Sequence, residues 1–186
     1  MPLIGKYASL LAMKLVRIGG SCLLVAAVLA SAAVAPARPA AAGCRPAAGK
    51  RIALTPHYRY TLLIGNVENM YMPRQVRANH LKHGEEMLRG TMTTGAAMTG
   101  GPIRHLEVQI CARATRAVVT NANPRIVVDD RTKRKTLVLP VSVMEGIGEG
   151  VADLHYGNNI AMPRKHRFLV AVTWIRERAS FSFVSR

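Results

Sequence analysis

The chain has 186 residues, 49% hydrophobic and 19% charged, which fits one globular domain and excludes a largely disordered chain. Its 26 Lys and Arg residues outnumber its 10 Asp and Glu residues, and the net charge of +16 favours anionic partners. Aromatic side chains make up only 5% of the chain, which disfavours stacking on single-stranded nucleic acid. Because no nucleic-acid-binding motif is present either, we expect no nucleic-acid partner.

Residues 1–43 have the pattern of a secretory signal peptide. They contain four basic residues and no acidic residue, and an apolar run of small residues spans positions 21–35. Of two candidate cleavage triplets, Ala40-Ala41-Ala42 is preferred because Pro36 directly follows the other one. We therefore predict export to the periplasm or beyond, and loss of the four basic residues leaves a net charge of about +12. The alternative is an uncleaved anchor, although the run is shorter than the roughly 20 residues that cross a bilayer.

Two cysteines, Cys44 and Cys111, remain after the predicted cleavage. In an oxidising compartment two cysteines can form one disulfide, but the sequence does not establish the pairing. The small residues that precede Cys44 also resemble a lipoprotein processing site, so lipid attachment at Cys44 is an alternative. The sequence leaves both states open.

The rest of the chain has the pattern of a β protein. After an Ala-, Pro- and Gly-rich stretch, short apolar runs alternate with turn residues about every ten positions. This spacing predicts an all-β antiparallel sandwich at residues 60–186, preceded by an N-terminal linker at residues 44–59. The predicted strands are 60–67, 86–93, 103–111, 116–120, 125–129, 135–143, 166–175 and 179–184. Turns are predicted at 121–124, 129–130, 146–150 and 157–159, and one short helix within 74–87.

Much of the core of this sandwich is expected from β-branched and leucine side chains in the middle of the chain. They are Val118, Val119, Ile126, Val127, Val128, Leu137, Val138 and Leu139. The sequence shows no internal repeat and no heptad pattern, so it favours neither a solenoid nor a coiled coil.

The strand predicted at 103–111 carries the first candidate ligands. Side chains alternate between the two faces of a strand, so Leu106, Val108 and Ile110 point one way and His105 and Glu107 the other. These two polar side chains stand on one face, close enough to chelate a single ion. A half-buried strand with a polar outer face explains the same alternation without any ligand.

A second candidate follows a glycine-rich loop. Gly146, Gly148 and Gly150 allow the chain to fold back, which would bring Met144 and His155 to one site despite eleven positions of separation. The alternative is a flexible hairpin connection with an incidental histidine.

Methionines and two further histidines are concentrated in residues 70–98. Thioethers favour Cu(I) and imidazoles suit copper, iron and zinc, although a single methionine also serves to fill gaps in a core. The set comprises Met70, Met72, Met87, Met92, Met98, His80 and His83. Together, the His, Met and carboxylate positions predict a secreted metal-binding protein. No hydrolase, phosphate-loop or zinc-protease signature is present, and we expect no enzyme.

His105-Leu106-Glu107, followed by the segment His155 to Met162, resembles the periplasmic ferrous-iron transport protein family. The resemblance covers roughly residues 60–184 and implies an exported, homodimeric, immunoglobulin-like β-sandwich that binds copper or iron in high-affinity iron uptake. It also implies that His105, Glu107 and His155 are metal ligands, with Met144 as the methionine ligand. By the same resemblance the partner is an inner-membrane iron permease.

The sequence therefore predicts a non-enzymatic exported protein that binds an ion through these four residues. Copper is the best single ion for a mixed set of imidazole, carboxylate and thioether ligands, and Fe²⁺ is the physiological candidate by resemblance. The main alternative is a secreted sandwich whose basic surface contacts anionic envelope components. A third possibility is a structural envelope protein with an empty site.

Overall fold

In a computed structural model, residues 43–44 and 50–186 of the chain are described. Residues 1–42, which make up nearly all of the predicted signal peptide, lie outside the described residues, as do residues 45–49. The strands are β1 (Arg51–Leu54), β2 (Tyr58–Asn66), β3 (Met70–Tyr71), β4 (Glu85–Arg89), β5 (Ile103–Ala112), β6 (Arg125–Asp130), β7 (Lys135–Leu139), β8 (Ser142–Gly146), β9 (His155–Ala161), β10 (Arg167–Trp174) and β11 (Glu177–Val184). The helices are α1 (Pro73–Ala78) and two 3₁₀ turns, η1 (Gly95–Met98) and η2 (Gly150–Asp153).

The strands form two sheets. The larger has seven strands in the order β1-β2-β5-β9-β8-β4-β3, and its neighbours are antiparallel except for β3 and β4. The smaller sheet has the order β11-β10-β6-β7 and is antiparallel throughout. In the larger sheet β9 and β8 lie between β5 and β4, which are consecutive strands of the chain. The centre of this sheet therefore combines segments that are distant in sequence.

The hydrophobic core lies between the inner faces of the two sheets. Leu106, Val108 and Ile110 of β5 are fully buried and belong to one cluster with Ile126 and Val128 of β6. Burial of each such side chain contributes roughly 1.5–3 kcal/mol relative to exposure. The predicted all-β sandwich is confirmed.

Six of the eight predicted core residues are buried or packed against the core, and the exceptions are Val127 and Val138, which are cross-strand partners on the outer face of the smaller sheet. Val138 is 51% exposed, because it alternates along β7 with Leu137 and Leu139, whose side chains are directed inward. The prediction that Val138 supplies core volume was therefore wrong.

Four local predictions need correction. The turn predicted at 129–130 was wrong, since both residues belong to β6 and the turn follows at residues 131–134. The strand predicted at 135–143 is two strands, β7 and β8, which belong to different sheets and are separated at Pro140, a residue without a backbone N–H for a ladder. Residues 116–120 form isolated bridges at Ala117 and Val118 instead of a strand. The turn predicted at 157–159 was wrong, since these residues lie inside β9.

The stretch predicted as a linker, residues 44–59, contains part of the fold. β1 pairs with β2 at the edge of the larger sheet, and Cys44 forms a disulfide with Cys111 on β5. The predicted short helix is present as α1, which begins with a proline, a residue favoured at the first helical position. Within the described part of the chain, no helix has the length and apolar character needed to cross a membrane.

Candidate metal site

Two histidines on neighbouring strands of the larger sheet meet at one point. The Nε2 atoms of His105 on β5 and His155 on β9 are 3.5 Å apart, and their ring planes are nearly perpendicular at 86°. Both side chains are buried. They nevertheless lie on the outer face of the sheet. Their chain neighbours Leu106 and Tyr156 belong to the core, and successive side chains of a strand point to opposite faces.

Gly157 makes this meeting possible. The cross-strand partner of His105 is Asn159, so His155 stands four positions further along β9, or about 13 Å at the usual rise per residue. The two rings, whose centroids are 5.6 Å apart, must lean toward each other over Gly157, which presents no side chain. A Cβ at Gly157 would also lie 1.7 Å from the carbonyl oxygen of Leu106, so the close approach of β5 and β9 requires glycine.

Hydrogen bonds at Nδ1 determine which nitrogen of each ring faces the other ring. The Nδ1 of His155 lies 2.8 Å from the carbonyl oxygen of Asp153, which can only accept, so Nδ1 carries the proton. The Nδ1 of His105 lies 3.0 Å from the Oδ1 of Asn159. That oxygen also accepts the N–H of Glu68, while the Asn159 amide group donates to the Glu68 carbonyl, which fixes the orientation of the side chain. In their neutral forms both rings therefore direct the Nε2 lone pair to the shared point.

Burial favours the neutral form of His105. Burial lowers the pKa of His105 below its ordinary value, and this effect exceeds the opposing effects of the Asn159 hydrogen bond and the charges of Glu68 and Asp153. A neutral imidazole is the form that binds a metal ion. The lowered pKa of His105 thus extends the pH range in which this ring is in its ligand form.

A carboxylate from a third strand completes the group. Oε2 of Glu85 on β4 is 3.6 Å from Nε2 of His155, and one ligand atom each from Glu85, His105 and His155 lies within 4.8 Å of the others. Although β8 separates β4 from β9, the cross-strand partner of Glu85 on β8 is Gly146, which contributes no side chain of its own. Oδ2 of Asp153 accepts the Gly146 N–H at 2.8 Å and fixes this end of β8 beside the site.

Of the four predicted ligands, the structure brings His105 and His155 together. Glu107 lies half-buried on the same face of β5 as His105 but is not a member of the group within 4.8 Å. Met144 is fully buried and is the cross-strand partner of His155, which places their Cβ atoms about 5 Å apart. The roles of Glu107 and Met144 as ligands stay predictions.

The further histidines and methionines are distributed differently. His80 and His83 are exposed near α1 and are outside the metal-ligand group found among the described residues. Met72 and Met92 are exposed as well. Met87, in contrast, is buried and is the cross-strand partner of Met144. Met87, Met144 and His155 therefore form one row across β4, β8 and β9, with two thioethers beside the imidazole.

The sequence reasoning missed two residues of the site, Glu85 and Asn159. Glu85 and Met87 are two positions apart on β4 and therefore share a face. Only the order of the strands shows that this face reaches His155. Asn159 was assigned to a turn. Its position four residues after His155 places it on the same face of a strand, and this was the available signal.

Neighbouring segments cover the site from the outside. Asn159 holds the backbone of Glu68, just after β2, through two hydrogen bonds. Nε2 of Gln109 donates to the carbonyls of Ala152 and Leu154 and so ties η2 to the outer face of β5. These contacts bury a part of the sheet that, in many antiparallel sandwiches, is solvated.

The arrangement suits a metal ion. Two ligands bound at about 2.0–2.1 Å with a tetrahedral angle between them lie about 3.4 Å apart. The Nε2–Nε2 and Nε2–Oε2 separations of 3.5 Å and 3.6 Å are close to that value. Acceptors on the Nδ1 atoms, such as Asp153 and Asn159 provide, are the usual outer support of metal-binding histidines.

The chain has little similarity to known proteins. No protein-family model matches it, and no curated protein does. Among solved structures it is similar to a DUF4426 family protein, PA0388 from Pseudomonas aeruginosa PAO1, with 14% sequence identity and a TM-score of 0.42. The similarity covers 73% of this chain and 92% of that chain.

Proposed function

We propose that this protein is an exported, non-enzymatic metal-binding protein that holds one copper or iron ion between His105 and His155. The observation that carries the proposal is the 3.5 Å separation of two buried Nε2 atoms whose rings are each fixed through Nδ1. Each ring is thereby committed to offer its lone pair to the same point. The carboxylate of Glu85 supplies a third ligand.

Copper is the best single ion for this set of ligands. Sites built from nitrogen and oxygen ligands generally bind Cu²⁺ more tightly than the other divalent first-row ions, and a thioether also suits Cu(I). The buried thioether of Met144, in the row next to His155, supports this choice. Fe²⁺ is the physiological ion that the resemblance to the periplasmic ferrous-iron transport protein family implies.

In this proposal the protein takes part in iron or copper acquisition as a homodimer and passes its ion to an inner-membrane permease. The family resemblance is the basis for the dimer and the permease. The Cys44–Cys111 disulfide supports an oxidising compartment such as the periplasm. It also engages the Cys44 sulfur that lipid attachment would require.

Calorimetric titration of the metal-free protein with Cu²⁺ tests the proposal. We expect saturable binding of one ion per chain that is lost in a His105→Ala/His155→Ala variant. The matched control is His80→Ala/His83→Ala, which removes two exposed histidines and should bind as the parent does. Equal binding by the parent and the His105/His155 variant, or no saturable binding to the folded parent, would contradict the proposal.

A second titration identifies the carboxylate ligand. If Glu85 binds the ion, Glu85→Gln weakens Cu²⁺ affinity at least tenfold while Glu107→Gln leaves it nearly unchanged, because Glu107 is outside the 4.8 Å group. The opposite result would return the role to Glu107, as the sequence predicted. Both substitutions preserve side-chain size, so circular dichroism should show the same fold in each.

A further inference from the structure

A cavity of about 350 Å³ lies at one end of the space between the two sheets. Its walls come from both sheets and are mainly apolar, with Val128, Leu137 and Phe168 on the smaller sheet and Ile160 on the larger one. η1 contributes Ala97 at one side. This cavity is separate from the candidate metal site, which lies on the outer face of the larger sheet.

The pairing of strands shows why the cavity has polar groups at one end. The inward positions of β6, β7 and β10 form successive rows across the smaller sheet. Two rows are apolar, Ile126 with Leu139 and Val172, then Val128 with Leu137 and Val170. The next row consists of Asp130, Lys135 and Phe168, so a carboxylate and an ammonium group occupy inward positions where the sandwich opens.

The charge at this opening is predominantly positive. Oδ2 of Asp130 is 2.7 Å from Nδ1 of His166, and its Oδ1 accepts the N–H groups of Thr132 and Lys133. The Asp130 carboxylate is thus already compensated locally. The ammonium groups of Lys133 and Lys135 form no ion pair with another described residue and are exposed at the rim.

We propose that this cavity binds a single-chain fatty acid, with the hydrocarbon chain between the sheets and the carboxylate at Lys133 and Lys135. Apolar walls with a few convergent polar groups are typical of small-molecule sites. A volume of about 350 Å³ is near the lower end of the usual range for such sites, so it fits one hydrocarbon chain and excludes a two-chain phospholipid. The positive rim selects an anionic head over a cationic one.

Titration of the full mature protein with dodecanoate, below its micelle concentration, tests the proposal. We expect saturable binding of one molecule per chain, and at least tenfold weaker binding of dodecyltrimethylammonium, which has the same tail and the opposite charge. Lys133→Glu/Lys135→Glu should weaken dodecanoate binding at least tenfold. Arg176→Glu/Arg178→Glu makes the same change in net charge at two exposed positions outside the cavity and should leave binding unchanged.

Two further measurements locate the bound chain. Leu137→Trp enlarges an inward-facing side chain of the cavity wall and should abolish dodecanoate binding by the folded variant. Methyl NMR of the parent should show dodecanoate-induced shifts of Val128 and Leu137, which gives a second readout if that variant does not fold. The proposal is overturned if no saturable binding occurs, if both amphiphiles bind equally, or if the arginine control is weakened as much as the lysine variant. Retention on anionic phospholipid vesicles that Leu137→Trp leaves intact, without dodecanoate binding, would instead assign the lysines to surface attraction.

Discussion

The two faces of the seven-stranded sheet are both buried at its centre, but they are buried by different kinds of contact. The inner face is covered by apolar side chains such as Leu106 and Val108, for which volume and shape decide stability. The outer face buries His105, His155 and Glu85, which are polar and are held by directional contacts. The core contacts and the proposed metal site therefore lie on opposite faces of the same strands, and substitutions of adjacent residues should separate their effects on stability and on binding.

The largest effect is expected at Gly157, where both faces depend on one backbone contact. Gly157→Ala places a Cβ 1.7 Å from the Leu106 carbonyl oxygen, so β5 and β9 must separate, and we expect a loss of about 4 kcal/mol or more in the free energy of unfolding. Urea unfolding measures this loss. Gly65→Ala is the control, because a Cβ there meets its nearest atom at 3.8 Å, and it should cost far less. Equal stability of the two variants would show that the approach of Gly157 to the Leu106 carbonyl does not require glycine.

The inner face alone is tested by Leu106→Ala. Removal of this fully buried side chain leaves a cavity in the core and should cost about 2–5 kcal/mol of unfolding free energy. Because the side chain points away from the metal site, the Cu²⁺ affinity of the folded variant should stay within about twofold of the parent. A large loss of affinity in a folded Leu106→Ala protein would mean that the two faces are not separable.

The outer face alone is tested by Asn159→Ala. This change removes the acceptor at His105 Nδ1 and the two bonds to the Glu68 backbone, and we expect Cu²⁺ affinity to fall about 10- to 100-fold. Asn159→Asp retains an acceptor oxygen and should recover most of the affinity. If both variants bind as the parent does, the orientation of His105 does not depend on Asn159.

A smaller effect is expected when the pH is lowered in the absence of metal. The pKa of His105 is lowered, chiefly by burial, so the unfolded chain binds a proton at a higher pH than the folded protein does. The contribution of neutral His105 to stability is complete above the ordinary histidine pKa and is lost as the pH falls through the pKa of the folded state. Unfolding free energies at pH 7.5 and pH 5.5 should therefore decrease more for the parent than for His105→Gln. A parallel decrease in both would contradict this linkage.

The smallest effect on stability is expected at a pair of carboxylates on β4 and β8. Glu86 and Glu145 are cross-strand partners, and burial together with the charges of Glu86 and Asp153 raises the pKa of Glu145. Glu86→Gln removes one like charge and should increase stability at pH 7 by about 0.5 kcal/mol. Metal affinity should not change. A loss of stability would show that Glu86 makes favourable contacts that exceed the repulsion.

The sequence predicted those parts of the molecule that depend on local pattern. Alternation in residues 103–111 placed Leu106 on one face and His105 on the other, and the structure agrees. It did not predict β9, because Gly157 and the two asparagines after it are typical turn residues. Here the glycine permits a close approach of strands, and Asn158 holds the loop residues Thr91 and Pro140 through its amide group.

Glu85 was out of reach of sequence reasoning for a different reason. The group is completed by a strand two places from β9 in the sheet, and strand order is a property of tertiary structure. Two glycines are indirect evidence for this arrangement in the sequence. Gly146 is the cross-strand partner of Glu85, and Gly157 lies beneath the two imidazole rings. In this candidate site the two glycines are as informative as the candidate ligands.

Anomalous diffraction from a crystal of the copper-loaded protein tests the central claim most directly. The predicted result is one strong copper peak on the outer face of the larger sheet, within about 2.5 Å of the Nε2 atoms of both His105 and His155. The peak should be absent from a crystal of the His105→Ala/His155→Ala variant. A peak only at the exposed His80 and His83, or none between the two buried rings, would contradict the account.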